Sequence, residues 1–348
     1  MEDKSGISES PSRQQSVGAS TISPTTQELF QGSVDPEQLE FTSDMAEDAE
    51  GNFFLSFGKT GSGKSTLHFH LLRYVDSQDD FDGTEIVDSK IPVAQRNAQA
   101  KIINQWRTLW ISGDFPSATA GPDMVRALRY QIRPRIGRHP PLNMTFLEVA
   151  GEHFERLLVE DDAGAVEFPS ALDRLFRNPN ARIVIAFIVS PNGIATDTDG
   201  KQPNALYPAF LNFIRTHYPE RSRTPLITVV TDPDQALDLL KDNELVGRSE
   251  TKLTGPLVEL FLGKYMGSFA QHYKSWAADP AHKRIAIFKI GKMGTKVGEN
   301  GKPTAYVIDP PNYDNIARIT KWTYETFTGV RIKASFWRRM LRAIGLSE

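Results

Sequence analysis

Residues 52–72 decide the fold. They read Asn52-Phe53-Phe54-Leu55-Ser56-Phe57, then Gly58-Lys59-Thr60-Gly61-Ser62-Gly63-Lys64-Ser65, then Thr66-Leu67-His68-Phe69-His70-Leu71-Leu72. The first six form a short apolar run of strand type, and the last seven continue as a helix. Between them lies a complete G-x-x-x-x-G-K-[ST] loop, which chance supplies in roughly one chain in a hundred of this length at average composition. Strand, Gly-rich loop and helix in that order is the setting in which the motif holds phosphate. The glycines let backbone N–H groups turn toward an anion, and the helix N-terminus adds partial positive charge. Lys64 then reaches the β- and γ-phosphates, and the Ser65 hydroxyl ligates Mg²⁺. An incidental Gly-rich turn is the competing reading, and the flanking elements argue against it. Residues 58–66, from Gly58 through Thr66, are therefore expected to bind a nucleotide.

Outward from this stretch, charge divides the chain. The first 50 of its 348 residues carry 11 acidic and 2 basic side chains, a net of −9, while the whole chain is at −3. Nine Ser, four Thr and only two aromatics, Phe30 and Phe41, leave that segment little apolar surface to offset chain entropy, so residues 1–48 are expected to be a disordered acidic tail. The remainder, at ordinary globular composition, has room for one large domain over 49–330. No apolar run approaches the roughly 20 residues a membrane helix requires, and no secretory signal is evident. The absence of cysteine excludes disulfides, thiolate catalysis and Cys-ligated zinc, and fits a cytoplasmic protein. The seven His show no metal-binding spacing. No stripe of Lys/Arg interleaved with aromatics stands out, so nucleic acid is not an expected partner.

Downstream, residues 76–90 read as a polar loop. Ala98, Ile102, Ile103, Trp106, Leu109 and Trp110 recur at helical spacing over 93–111, and Gly113-Asp114-Phe115-Pro116 stops that helix. Thr119 falls in the loop beyond, and 76–118 is read as a helical insertion. Met124 to Ile132 alternates apolar with polar as a half-buried strand does, and Leu142 to Leu147 forms a third strand running into Glu148-Val149-Ala150-Gly151-Glu152. Arg182 to Ser190 is a continuous apolar run of central-strand type. A helix over 204–218, a strand ending in Thr231-Asp232-Pro233-Asp234, a long helix from about Pro256 to Trp276, a last strand over 283–290 and a final helix through Phe327 follow. About six strands interleaved with helices predict an α/β fold, a doubly wound, mostly parallel sheet with an antiparallel pair and the ligand at the strands' C-terminal ends.

This succession resembles the Ras-like (TRAFAC-class) P-loop GTPases over about residues 50–330, and among them the poorly characterised bacterial double-GTPase (DO-GTPase) proteins. The resemblance implies GTP or GDP with Mg²⁺ as ligands, ATP being the lesser alternative, and a protein effector or activator as partner. Thr119 would be the switch I threonine at Mg²⁺, with an ordinary loop hydroxyl as the competing reading. Glu148-Val149-Ala150-Gly151 would stand for D-x-x-G, Gly151 giving an N–H to the γ-phosphate and Glu148 facing Mg²⁺ through water, unless Glu148 is only a strand-end carboxylate. Glu for Asp at 148 adds a methylene and changes the metal distance. Glu152 would orient the attacking water, although a carboxylate cannot also donate as an amide can. His153 would orient water or act as base, or else sit on a solvated helix turn. Thr231 and Asp234 match the ends of [NT]-K-x-D, with Asp232 in place of the lysine that stacks on the base. Asp234 is otherwise read as a helix N-cap. Lys292 falls where the family's base loop lies. Slow, partner-stimulated GTP hydrolysis is the activity so implied.

Two other functions stay open at this point. A P-loop ATPase would use Asp232 as its Walker B carboxylate, but Pro233 follows where a catalytic Glu is needed. A non-hydrolysing nucleotide-binding regulatory module also fits the substitutions at 148, 152 and 232. Finally, residues 331–348 hold Arg331, Lys333, Arg338, Arg339 and Arg342 against one acid, with Phe336, Trp337, Met340, Leu341 and Ile344 at helical spacing. A basic amphipathic helix of this kind docks on a partner or on the inner face of a membrane, or packs on its own domain.

Overall fold

The computed structural model describes residues 39–77, 80–86, 91–112, 125–135, 137–149, 168–191, 194, 203–276, 280–289, 292–297, 303–309 and 313–332, all within the unit Val34–Glu348. Strand β1 (Gly51–Phe57) sets its architecture. Successive side chains point to opposite faces of a strand. Phe53, Leu55 and Phe57 therefore enter one apolar layer and Phe54 the other, each at most 3% exposed. A strand apolar on both faces needs cover on both. One layer is built with helices α4 (Ser170–Arg177), α5 (Pro203–His217), α6 (Pro233–Asp242), α7 (Gly255–Tyr265) and α8 (Gly267–Ser275). The other is built with α2 (Lys64–Ser77), α3 (Val93–Ser112) and α9 (Tyr313–Thr328).

Seven strands form the sheet, in the order β2-β3-β4-β1-β5-β6-β7. They are β2 (Phe81–Glu85), β3 (Val125–Pro134), β4 (Leu142–Val149), β5 (Ala181–Val189), β6 (Leu226–Thr231) and β7 (Lys283–Phe288) beside β1. The run β4-β1-β5-β6-β7 is parallel, whereas β2 with β3 and β3 with β4 are antiparallel. The α/β class and the mostly parallel sheet are as expected. After β1 the chain goes to the edge strand β2 and works back inward through β3 to β4, and after β4 it crosses to the other side of β1. Strand order thus reverses at β1, and the crevice at its C-terminal end is where open α/β sheets bind ligands. Among the described residues no helix is long and apolar enough to cross a membrane.

Four expectations need correction. Residues 81–85 are not loop but the edge strand β2, paired from Phe81↔Pro134 to Glu85↔Tyr130, which raises the count from six to seven. Phe81 is its one buried residue, so the pairing with β3 rather than any run of apolar residues makes the strand. The single long helix over 256–276 is two, broken at Met266 (φ −134°, ψ 45°). Met266 is fully buried, and the poor helix formers Gly263 and Gly267 flank it. The last sheet strand ends at Phe288, and a separate antiparallel hairpin follows, β8 (Lys292–Val297) with β9 (Pro303–Asp309).

The fourth correction concerns the tail, whose expected end at 48 lies too far along the chain. Leu39, Phe41 and Ala46 are buried, the Phe41 N–H donates to Val125 O at 2.7 Å, and Ser43–Glu47 forms helix α1. Asn178 at the end of α4 holds this segment, its Nδ2 lying 3.0, 3.0 and 2.7 Å from the carbonyls of Ala46, Glu47 and Ala49. Acidic composition misled here because Asp44, Glu47 and Asp48 lie on the outer surface of a segment whose apolar residues point inward. Asn178→Ala is expected to cost about 1–3 kcal/mol in urea denaturation, since it strips buried carbonyls of their donor. Arg174→Ala, which removes only an exposed ion pair with Glu47, should cost under about 1 kcal/mol. Equal costs would show that Asn178 does not anchor the segment.

Candidate phosphate site at the strand–helix junction

The loop between β1 and α2 closes tightly on itself. Gly61 and Gly63 have φ of 75° and 93°, in the region that disfavours other side chains. A Cβ at Gly58 would meet Ser62 Oγ at 2.6 Å and Ile188 O at 3.0 Å. The Ser62 N–H donates to Lys59 O at 3.1 Å, and the first helical bond runs from the Leu67 N–H to Gly63 O at 2.9 Å. Lys64, 7% exposed, folds back so that Nζ donates to Gly58 O at 2.7 Å and Lys59 O at 3.0 Å. Its ammonium is thereby held over the loop, beside the N–H groups that open the helix. A cavity of about 240 Å³ lies against Lys59, Thr60, Gly61 and Ser62, and Ile188, Ser190, Pro203 and Tyr207 complete its lining.

Strand register brings three polar side chains to the start of α2. Glu148 on β4 lies beside Ser56 on β1 and opposite Arg126 on β3. The Ser65 hydroxyl donates to Glu148 Oε1 in a short contact. Arg126 Nη1 stands 3.8 Å from Glu148 Oε2, with the two residues 8% and 3% exposed. Burial pulls the Arg126 guanidinium below its ordinary range, and Glu148 opposes that. Just below, His68 Nε2 lies 2.6 Å from Ser56 Oγ. Burial pushes His68 down to about 4, so its ring is neutral at physiological pH.

The residues expected at the base side divide. The Thr231 hydroxyl is fully buried and lies 3.1 Å from Ser62 O and 3.2 Å from Val189 O, so it braces the phosphate loop from β6. Asp232 caps α6 in the left-handed region (φ 51°, ψ 57°), its carboxyl raised by burial and next by Asp234. Asp234 pairs with Lys289, Nζ to Oδ2 at 3.2 Å, at the C-terminal ends of β6 and β7. Lys292 is not in a base loop but opens β8, paired with Asp309. Thr119, Gly151, Glu152, His153 and residues 333–348 lie outside the described residues.

No family model matches the chain, and neither does any curated protein. Among solved structures, a signal recognition particle receptor SRb-GTP/SRX complex from Chaetomium thermophilum matches at 11% identity and a TM-score of 0.31, covering 69% of this chain and 90% of that one. At that distance neither function nor partner is read across from it.

Ser65 and Glu148 supply two hard oxygen donors in contact with each other, the donor type Mg²⁺ takes. No group of three or more His, Asp or Glu gathers among the described residues, so a divalent ion here would complete its shell from phosphate oxygens and water. Between the rival carboxylates, Glu148 and not Asp232 takes the Ser65 hydroxyl. Sequence reasoning missed Arg126 and Lys289. Arg126 had one visible signal, a cation set in the apolar alternation of β3. Lys289 had none, since only the pairing of β6 with β7 brings it to Asp234.

Helix α2 carries a second buried imidazole, His70, whose ring packs on Phe69 (4.9 Å) and Phe288 (5.9 Å) and is driven by burial down to about 3. Both His values lie below the unfolded 6.5, so the unfolded chain takes up protons that the folded one refuses. Their contribution is therefore full above pH 6.5 and is lost as pH falls toward 4 and 3. The urea midpoint should drop over pH 6.5–4, and His70→Leu should make that drop shallower. An identical slope in the two proteins would show that His70 does not couple to folding.

Proposed function

We propose that the chain is a guanine-nucleotide-binding molecular switch that holds GTP with Mg²⁺ at residues 58–66 and hydrolyses it slowly. The supporting observation is the convergence of three groups at one helix start: the Lys64 ammonium over the loop, the Ser65 hydroxyl, and the Glu148 carboxylate that Ser65 touches. Backbone N–H groups of the loop and the first turn of α2 bind the β- and γ-phosphate oxygens. Lys64 exchanges its two loop carbonyls for those oxygens, keeping its charge where negative charge builds during transfer. Ser65 and Glu148 would hold Mg²⁺, which supplies charge neutralisation between the phosphates. Asp234 accepts from the guanine edge once Lys289 releases it, and Thr231 keeps the loop at fixed height beneath the phosphates. Glu152 or His153 orients the attacking water, with Gly151 and Thr119 at the γ-phosphate. A glutamate at 152 can only accept from that water, which is why turnover is slow and a protein activator speeds it. In this reading the protein works in the cytoplasm, and its C-terminal basic helix docks it on an effector or on the membrane's inner face.

Equilibrium titration with fluorescent GDP, GTP and ATP analogues, together with phosphate release, tests the reading. Tighter binding of GTP than of ATP is expected, with turnover of GTP. Lys64→Ala should weaken affinity by about 10- to 100-fold, the worth of hydrogen bonds from a charged group, while the melting temperature without nucleotide stays close to wild type. Asp234→Ala should weaken GDP more than ADP. Turnover selective for ATP would replace this reading by the ATPase one, and tight GTP binding without any turnover would leave a non-hydrolysing module.

A further inference from the structure

Arg126 is the group at this site for which the nucleotide reading has no use. It is buried, fixed in register opposite Glu148 by the β3–β4 ladder, and its backbone is flanked on the other side by the bridge to Glu40. The two oxygens of Glu148 have separate neighbours. Oε1 takes the Ser65 hydroxyl, and Oε2 faces the guanidinium at 3.8 Å. That separation is too long for a hydrogen bond, and Arg126 Nε has no hydrogen-bond partner among the described residues. Arg126 therefore does not clasp the carboxylate in the two-pronged manner usual for this pair. What it brings to the site is a full positive charge in a place sheltered from water, where charge acts strongly.

A buried carboxylate next to a polyphosphate requires positive charge close by. Lys64 is engaged with the phosphates in the reading above, so without a second protein cation the divalent ion would have to supply it. We propose that Arg126 is a positioning residue that takes over part of this role, so that the nucleotide binds nearly as well without Mg²⁺ as with it. The inference rests on residues 58–66 being a nucleotide site. Its logic is electrostatic. With Arg126 present, Glu148 is already neutralised and does not repel the incoming phosphates, and a cation arriving at Ser65 meets like charge behind the carboxylate. With Arg126 gone, Lys64 alone must offset both Glu148 and the phosphates, and the binding of the nucleotide comes to depend more strongly on Mg²⁺.

The test is the ratio of dissociation constants for a fluorescent GDP analogue in EDTA and in MgCl₂, measured on the full chain. Wild type should show a ratio within about threefold. Arg126→Met should raise it to tenfold or more, and Arg126→Lys, which keeps the charge, should bring it back toward wild type. A structural role alone would weaken both conditions equally and leave the ratio untouched. Should Arg126→Met fail to fold, Arg126→Gln, which removes the charge and keeps a polar side chain, takes its place and is read against the same limits. A wild-type loss of thirtyfold or more in EDTA overturns the proposal, as does an Arg126→Met ratio equal to that of wild type. If wild type binds GDP in neither buffer, the nucleotide reading falls and this inference with it, whereas binding with strong Mg²⁺ dependence removes this inference alone.

Discussion

Everything at this site depends on the register of β1 with its two neighbours. Ser56 pairs with Glu148 on one side and Ala186 on the other, and β4 in turn sets Glu148 opposite Arg126. Side chains alternate with period two, so a one-residue slip of β4 would send Glu148 to the opposite layer and put an apolar neighbour against Ser65. Such a slip is strongly disfavoured, because the same shift would reverse Leu142, Met144, Phe146, Leu147 and Val149 between the two cores. Burying side chains of this size contributes about 1.5–3 kcal/mol each. The polar site is thus positioned by apolar packing, and its own hydrogen bonds refine an arrangement already set.

Three charged side chains are buried around the start of α2, namely Lys64, Arg126 and Glu148. Ionic groups seldom sit this deep unless they are paired. Lys64 is solvated by loop carbonyls in place of water, and Glu148 lies between a hydroxyl and a guanidinium. The adjacent imidazole of His68 adds no charge, since burial holds it neutral near pH 7. The set therefore has one positive charge in excess, in a crevice that points backbone N–H groups outward. A polyanion is the ligand chemistry that such a balance favours, independently of the base it carries.

The parts of this arrangement that could be read from sequence were those encoded in contiguous residues. Phe53 to Phe57 followed by Gly58 to Ser65 specifies strand, loop and helix locally, and Glu148 stands at the end of the contiguous strand run that begins at Leu142. Readings failed where pairing at a distance overrides local signal. Phe81–Glu85 has one apolar residue turned inward and is a strand only because β3 lies alongside it. Residues 39–48 look like tail by charge, yet Asn178, some 130 positions away, holds them. Arg126 and Lys289 likewise acquire meaning only from the strands beside them.

The two ends of the candidate site differ in burial, and the difference bears on the proposed function. At the phosphate end Lys64, Ser62 and Thr231 are buried, and the loop is tied to β6 through the Thr231 hydroxyl. At the other end Asp234 is mostly exposed, and its contact with Lys289 is the kind of surface ion pair worth about 0–1 kcal/mol. In the proposed reading, exchanging Lys289 for a base at Asp234 therefore costs little, and the exchange adds correspondingly little net energy. Selectivity for guanine in that reading rests on how the base fits beside Asp234, and binding strength on the buried loop around Lys64. The preference for GTP over ATP proposed above is then a smaller quantity than the affinity that the phosphates supply. Asp232 points the same way, since a carboxylate on a left-handed residue ahead of Pro233 offers no apolar stem to cover a base.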